Sequence, residues 1–148
     1  MPANLATSRL HVLVVDDDRT FAMLAAEYLG QAGCIVSRAA DGARAFEMLD
    51  RMRIDLAIID LSMPTVDGLR LIGLIRGSPR LRQLAILVVS GAQSSGAFAE
   101  AMALGANAVE TKPVDWSRFP DRVVDVWRLC RSPRRDPDLL AQTVRQVS

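Results

Sequence analysis

Four places in the chain set a charged or hydroxyl side chain directly after an apolar run. "HVLVV" is followed by Asp16, Asp17 and Asp18, and "LAII" by Asp60; "ILVV" is followed by Ser90 and Gly91, and "NAVET" by Lys112 and Pro113. Carboxylates brought within a few ångströms of one another repel, and each raises the others' pKa unless a cation intervenes. A hard divalent ion with oxygen ligands relieves that repulsion. Magnesium suits the task, because it takes one or two carboxylates, keeps waters and accepts phosphoryl oxygens. A carboxylate is also a nucleophile that can form an aspartyl-phosphate. Such a transfer needs mainly in-line positioning and neutralised oxygens. In this chemistry Asp60 accepts the phosphoryl group. The metal neutralises one of its oxygens, the Lys112 ammonium a second, and the Ser90 hydroxyl bonds a third.

Taken singly, each signal has a bland reading. Asp16 to Asp18 reads as an acidic helix start. Asp60, followed by Pro64 and Asp67-Gly68, reads as a turn. Ser90-Gly91 reads as a loop opening and Lys112 as a solvated lysine. What matters is whether the elements bring the four together.

Five apolar runs alternate with helical patterns: Leu10–Val15, Cys34–Ala39, Asp55–Asp60, Leu84–Ser90 and Ala106–Thr111. The first, third and fourth are rich in Val, Ile and Leu without polar alternation, as strands covered on both faces are. Between them, Phe21, Leu24, Ala25 and Tyr28 keep helical spacing, with Gly33 near that helix's end. Asp41 is the expected N-cap of a helix carrying Ala45, Phe46, Leu49 and Met52. Leu69, Ile72 and Ile75 mark a third helix, and Phe98, Ala101, Met102 and Gly105 a weak fourth. Phe119, Val123, Val126, Trp127 and Cys130 mark a fifth, with Pro120 in its first turn. Five βα units in a row predict an α/β fold: a flavodoxin-like (βα)5 doubly wound parallel sheet, strand order 2-1-3-4-5. Functional crevices in such sheets lie outside the carboxyl ends of the strands. The ends of the first, third, fourth and fifth strands would then share one shallow pocket.

At this point the sequence resembles a known family. "VLVVDDD", "DLAIIDLSMPTVDG", "ILVVSGA" and "GANAVETKP" are similar to the signature segments of response-regulator receiver domains from two-component signalling, in that family's order. The likeness covers roughly Arg9 to Arg131. It implies that Asp60 takes a phosphoryl group from a histidine kinase or histidine phosphotransfer protein. It implies that Asp17 ligates Mg2+ directly, that Asp16 holds it through water, and that the backbone carbonyl of Ser62 is a further ligand. Ser90 stands at the family's switch-hydroxyl position and Lys112 at its lysine position, with a cis Lys112-Pro113 bond expected. One departure stands out. The position three before Lys112 usually carries an aromatic ring that turns inward on activation, and here it is Val109, with a single stiff χ1. Output is therefore expected through loop and helix shifts. Ala92 and Ser62 flank the family's path for hydrolytic water, and slow or ordinary self-dephosphorylation is expected.

The remaining numbers bound the function. The chain has 148 residues, half of them hydrophobic, and a formal net charge of +1. It is long enough for one domain with a sizeable core, and carries no global pull toward nucleic acid or anionic lipid. No apolar run approaches the roughly 20 residues that span a bilayer, and the first residues lack a signal-peptide pattern. Two cysteines, Cys34 and Cys130, make no disulfide framework, and a single histidine, His11, argues against a zinc site. A cytoplasmic protein is expected, without membrane insertion, direct nucleic-acid binding or enzymatic turnover of a separate substrate.

The expected layout is a tail over residues 1–8, a receiver domain over 9–131 and an extension over 132–148. In that extension Leu140, Val144 and Val147 form one short stripe, compatible with docking back, pairing with a partner or leading into further chain. Arg128, Arg131, Arg134 and Arg135 read as solvated surface. The downstream partner would be an unknown protein or a second copy. The alternative is a phosphorylation-independent interaction module on the same fold, favoured by Val109. A phosphohydrolase is disfavoured because Ser62 stands where a second Asp would follow Asp60, and a flavin carrier because no Gly/Ser/Thr-rich phosphate loop follows the first strand.

Overall fold

The computed structural model describes residues 10–63, 66–91 and 95–131. The expected tail, the extension with its apolar stripe, Arg134, Arg135, Pro64 and Ala92 lie outside the described residues. Strands β1 (His11–Val15), β2 (Ile35–Ala39), β3 (Leu56–Ile59), β4 (Ala85–Ser90) and β5 (Ala108–Thr111) alternate with helices α1 (Arg19–Gln31), α2 (Gly42–Arg51), α3 (Gly68–Gly77), α4 (Ser95–Leu104) and α5 (Phe119–Cys130). The sheet order is β2-β1-β3-β4-β5, as the alternation predicts. All four pairings are parallel.

Alternation along the strands divides the core in two. Val12, Val14, Ile58, Leu87 and Val89 turn to one face, where they pack with Phe21, Ala25 and Leu29 of α1 and Phe119, Val123 and Val126 of α5. Leu13, Val15, Ile59, Ile86 and Val88 turn to the other, against Ala45 and Leu49 of α2, Ile72 and Ile75 of α3 and Ala101 of α4. Every residue of β3 and β4 is buried, which is why these strands carry no polar alternation. Burying each large aliphatic side chain contributes about 1.5–3 kcal/mol, so alternate residues of the same strands hold the two helix layers.

Register brings the strand ends level. Val15 lies opposite both Ala39 and Ile59, Ile59 opposite Val88, and Ser90 opposite Thr111. The backbone ladder then runs one residue further. Asp60 N–H donates to the Val15 carbonyl at 2.9 Å, Asp16 N–H to Ala39 at 3.1 Å, and Lys112 N–H to Ser90 at 2.7 Å. Asp16, Asp60, Ser90 and Lys112 are thus the last rungs of adjacent strands.

The structure differs from the sequence reading at the edges of elements. β5 begins at Ala108 rather than Ala106, and β3 stops at Ile59 rather than Asp60. Met52, expected within a helix, is instead the C-cap of α2. Asp67-Gly68, expected as a break, starts α3: Asp67 is the N-cap, its carboxylate accepting from Arg70 N–H at 2.9 Å.

Candidate functional site

The acidic run after β1 is divided between two tasks. Asp18 turns away to cap α1, its Oδ1 accepting from Thr20 N–H at 3.0 Å and Phe21 N–H at 3.3 Å. Asp16 and Asp17 stay with the strand end, where carboxylate oxygens of Asp16, Asp17 and Asp60 lie within 4.8 Å of one another. The helix-start reading of this run therefore holds for Asp18, while Asp16 and Asp17 gather beside Asp60. Asp16 and Asp60 are buried, whereas Asp17 stands exposed at the mouth.

Charge and hydrogen bonds close around the two buried carboxylates. Lys112 Nζ donates to Asp16 Oδ2 at 2.7 Å and lies 3.9 Å from Asp60 Oδ2. The other oxygen of each acid is also engaged. Ser90 Oγ donates to Asp60 Oδ1 at 2.6 Å, and Asp18 N–H donates to Asp16 Oδ1 at 2.9 Å. Burial pushes the Asp16 carboxyl up to about 6; the charge of Asp60 adds to the rise, while Lys112 and the Asp18 amide oppose it. One ammonium beside three carboxylates leaves the site short of positive charge. Three oxygen donors in this arrangement suit a hard divalent cation such as magnesium. The carboxylates of Asp16, Asp17 and Asp60 are the residues that could hold one.

The other predicted positions fall nearby. Ser62 is exposed, two residues past Asp60 on the loop toward α3. The Lys112-Pro113 bond is cis, as expected. Val109 is half-buried against the α2–α4 side of the sheet. Beside Lys112 a hollow of about 330 Å³ is lined by residues including Asp18, Phe21, Pro113 and Trp116.

Two contributors escaped the sequence reading. Gly68 packs so closely under the site that a Cβ there would land on the Asp60 carbonyl oxygen and reach 2.7 Å from Leu61 Cα. Phe21, read only as helix core, lies with its ring centroid 4.5 Å from Lys112 Nζ. The Asp-Gly pair was the available signal for the first. The second depends on a contact across 91 positions of chain, from 21 to 112, that periodicity does not report.

Comparison with known proteins places the chain in a family. The family profile described as the response regulator receiver domain matches residues 12–124. The Regulator of RpoS of Escherichia coli is 35% identical over 113 residues, covering 76% of this chain and 33% of that protein. This chain therefore spans about a third of the length of that relative. Among solved structures, the chemotaxis response regulator CheY4 of Vibrio cholerae is similar at a TM-score of 0.75 and 27% identity, covering 80% of this chain and 98% of that one. A Francisella response regulator receiver domain is similar at a TM-score of 0.73 and 25% identity, over 81% of this chain and 98% of that one.

Proposed function

Because the chain belongs to the response regulator receiver domain family, we propose that it is a phosphorylatable signalling switch whose acceptor is Asp60. The observation that carries this reading is the engagement of both Asp60 oxygens: the Ser90 hydroxyl lies 2.6 Å from one and the Lys112 ammonium 3.9 Å from the other. An Asp60 oxygen attacks the phosphorus of a phosphohistidine on a histidine kinase or phosphotransfer protein. The P–N bond breaks, and the departing imidazole takes up a proton. Lys112 is placed to meet the charge on one phosphoryl oxygen, and Ser90 can turn its hydroxyl from Asp60 to another. Asp17 would hold Mg2+ directly, Asp16 through water, with Asp60 and the Ser62 carbonyl completing the protein's share. When bound, the ion supplies positive charge to the phosphoryl oxygens.

In this reading the receiver spans residues 9–131, with a tail over 1–8 and an extension over 132–148. It turns over no separate substrate and works in the cytoplasm, where a kinase forms its phosphohistidine. Phosphorylation biases two pre-existing conformations, limited by the difference in interaction energy between them. With Val109 in place of a ring, the change reaches a downstream protein or a second copy through loop and helix shifts. Val109 also favours the second reading, an interaction module that works without phosphorylation.

The two part in one experiment. Acetyl phosphate with Mg2+ should add one phosphoryl mass to the wild-type chain and none to Asp60→Asn. No gain in the wild type would select the module.

A further inference from the structure

We propose that Phe21 is a positioning residue for Lys112, its ring face holding the ammonium where it can serve both Asp16 and Asp60. This rests on the reading of Asp60 as the phospho-acceptor. A lysine is a compact charge on a flexible four-carbon stem, and an ion pair alone leaves its head free to swing. Here the head is held from two sides. Asp16 Oδ2 lies 2.7 Å from Nζ, and the Phe21 ring centroid lies 4.5 Å away. The second distance is within the range in which a ring's electron-rich face attracts an ammonium. Lys112 is largely enclosed, with 22% of its side chain exposed, so solvent screens this attraction less than at an open surface.

The ring is itself fixed. Phe21 is buried and packs against Trp116, with centroids 5.2 Å apart, and edge-on to Phe119 at 6.4 Å. Trp116 in turn stacks on Tyr28 at 5.5 Å and meets Phe119 edge-to-face at 5.3 Å. The backbone of Phe21 is held by the Asp18 cap, and the Asp18 amide bonds Asp16. A closed circuit results: Asp16 to Asp18, Asp18 to Phe21, Phe21 to Lys112, Lys112 to Asp16. Through it the first turn of α1 sets the position of a charge borne 91 positions later, at the end of β5. Val109 belongs to the other face of the sheet, and of the four linked rings Phe21, Trp116, Phe119 and Tyr28 it is Phe21 that meets Lys112.

The test uses the full chain and two readouts. A lysine head seated over a ring has its ε-methylene protons shifted upfield by the ring current. Wild type should show that shift for Lys112, Phe21→Tyr should keep it, and Phe21→Leu should lose it. Under saturating Mg2+, Phe21→Leu should take phosphate from acetyl phosphate about three- to tenfold more slowly, the scale of a partly desolvated cation–π contact. Its half-saturating donor concentration should be unchanged, and Phe21→Tyr should restore the rate. Should Phe21→Leu fail to fold, Phe21→Met removes the ring with an unbranched side chain that adapts to the gap. An unshifted Lys112 in the wild type, or ring-less variants phosphorylated at the wild-type rate, would overturn the proposal. If the wild type takes up no phosphate, the Asp60 reading falls, while the Lys112 shift still decides whether Phe21 holds the ammonium.

Discussion

At the scale of single residues, the site holds charge at a cost to the fold. Asp16 is the clearest case, because burial raises its carboxyl from the ordinary 3.8 to about 6 despite the ion pair with Lys112. The folded chain binds that proton more tightly than the unfolded chain. The resulting stabilisation is complete below about pH 3.8 and is lost as pH rises through about 6. At pH 7 without metal the ionised group therefore weighs against folding by something on the order of 2–3 kcal/mol. Asp16→Asn should raise the stability of the metal-free protein at pH 7 by about 1–3 kcal/mol in urea unfolding. It should also flatten the wild-type dependence between pH 4 and 7. An Asn variant less stable than wild type at pH 7 would mean that the ion pair outweighs burial. Asp16, Asp17, Asp60, Ser90 and Lys112 stood out in the sequence because each lies at the end of an expected strand. Phe21 did not, because an aromatic residue at helical spacing reads as core, and it is core as well.

Among the elements, the segment from β3 to α3 carries most of the positional burden. Asp60 sits between a strand whose every residue is buried and a helix whose first residue, Gly68, touches the Asp60 backbone. Any side chain at 68 must move that backbone. Gly68→Ala should therefore cost about 2–4 kcal/mol of stability and slow phosphoryl uptake. Gly73, in the same helix, has open space where a Cβ would go. Gly73→Ala should stabilise the fold by about 0.5–1 kcal/mol and leave uptake unchanged. Equal effects from the two substitutions would show that helix propensity, not close approach, governs position 68. Elements and strand order were readable because short continuous apolar runs alternate with stretches of period 3.6. Their ends were less so: Asp67 could equally close a turn or open a helix, and only the packing of α3 under β3 decides.

For the whole molecule, parallel pairing turns four separate chain positions into one rim, where one ammonium stands beside three carboxylates. A divalent cation should therefore stabilise the native state in proportion to its binding. At ten times its dissociation constant, Mg2+ should add about 1.4 kcal/mol, or several degrees of Tm for a domain of this size. Chelation should reverse the gain. Asp17 is exposed, so Asp17→Asn should leave the metal-free Tm within a degree or two of wild type, as surface substitutions do, yet abolish the Mg2+ response. A magnesium response that survives in Asp17→Asn would place the ion elsewhere. The central claim is that the converged strand ends make Asp60 the phosphoryl acceptor. Borohydride trapping after acetyl phosphate and Mg2+, followed by peptide mass mapping, tests it most directly. The reduced, homoserine-bearing residue should be found at position 60 alone; label at another carboxylate, or none in a folded wild-type chain, would contradict it.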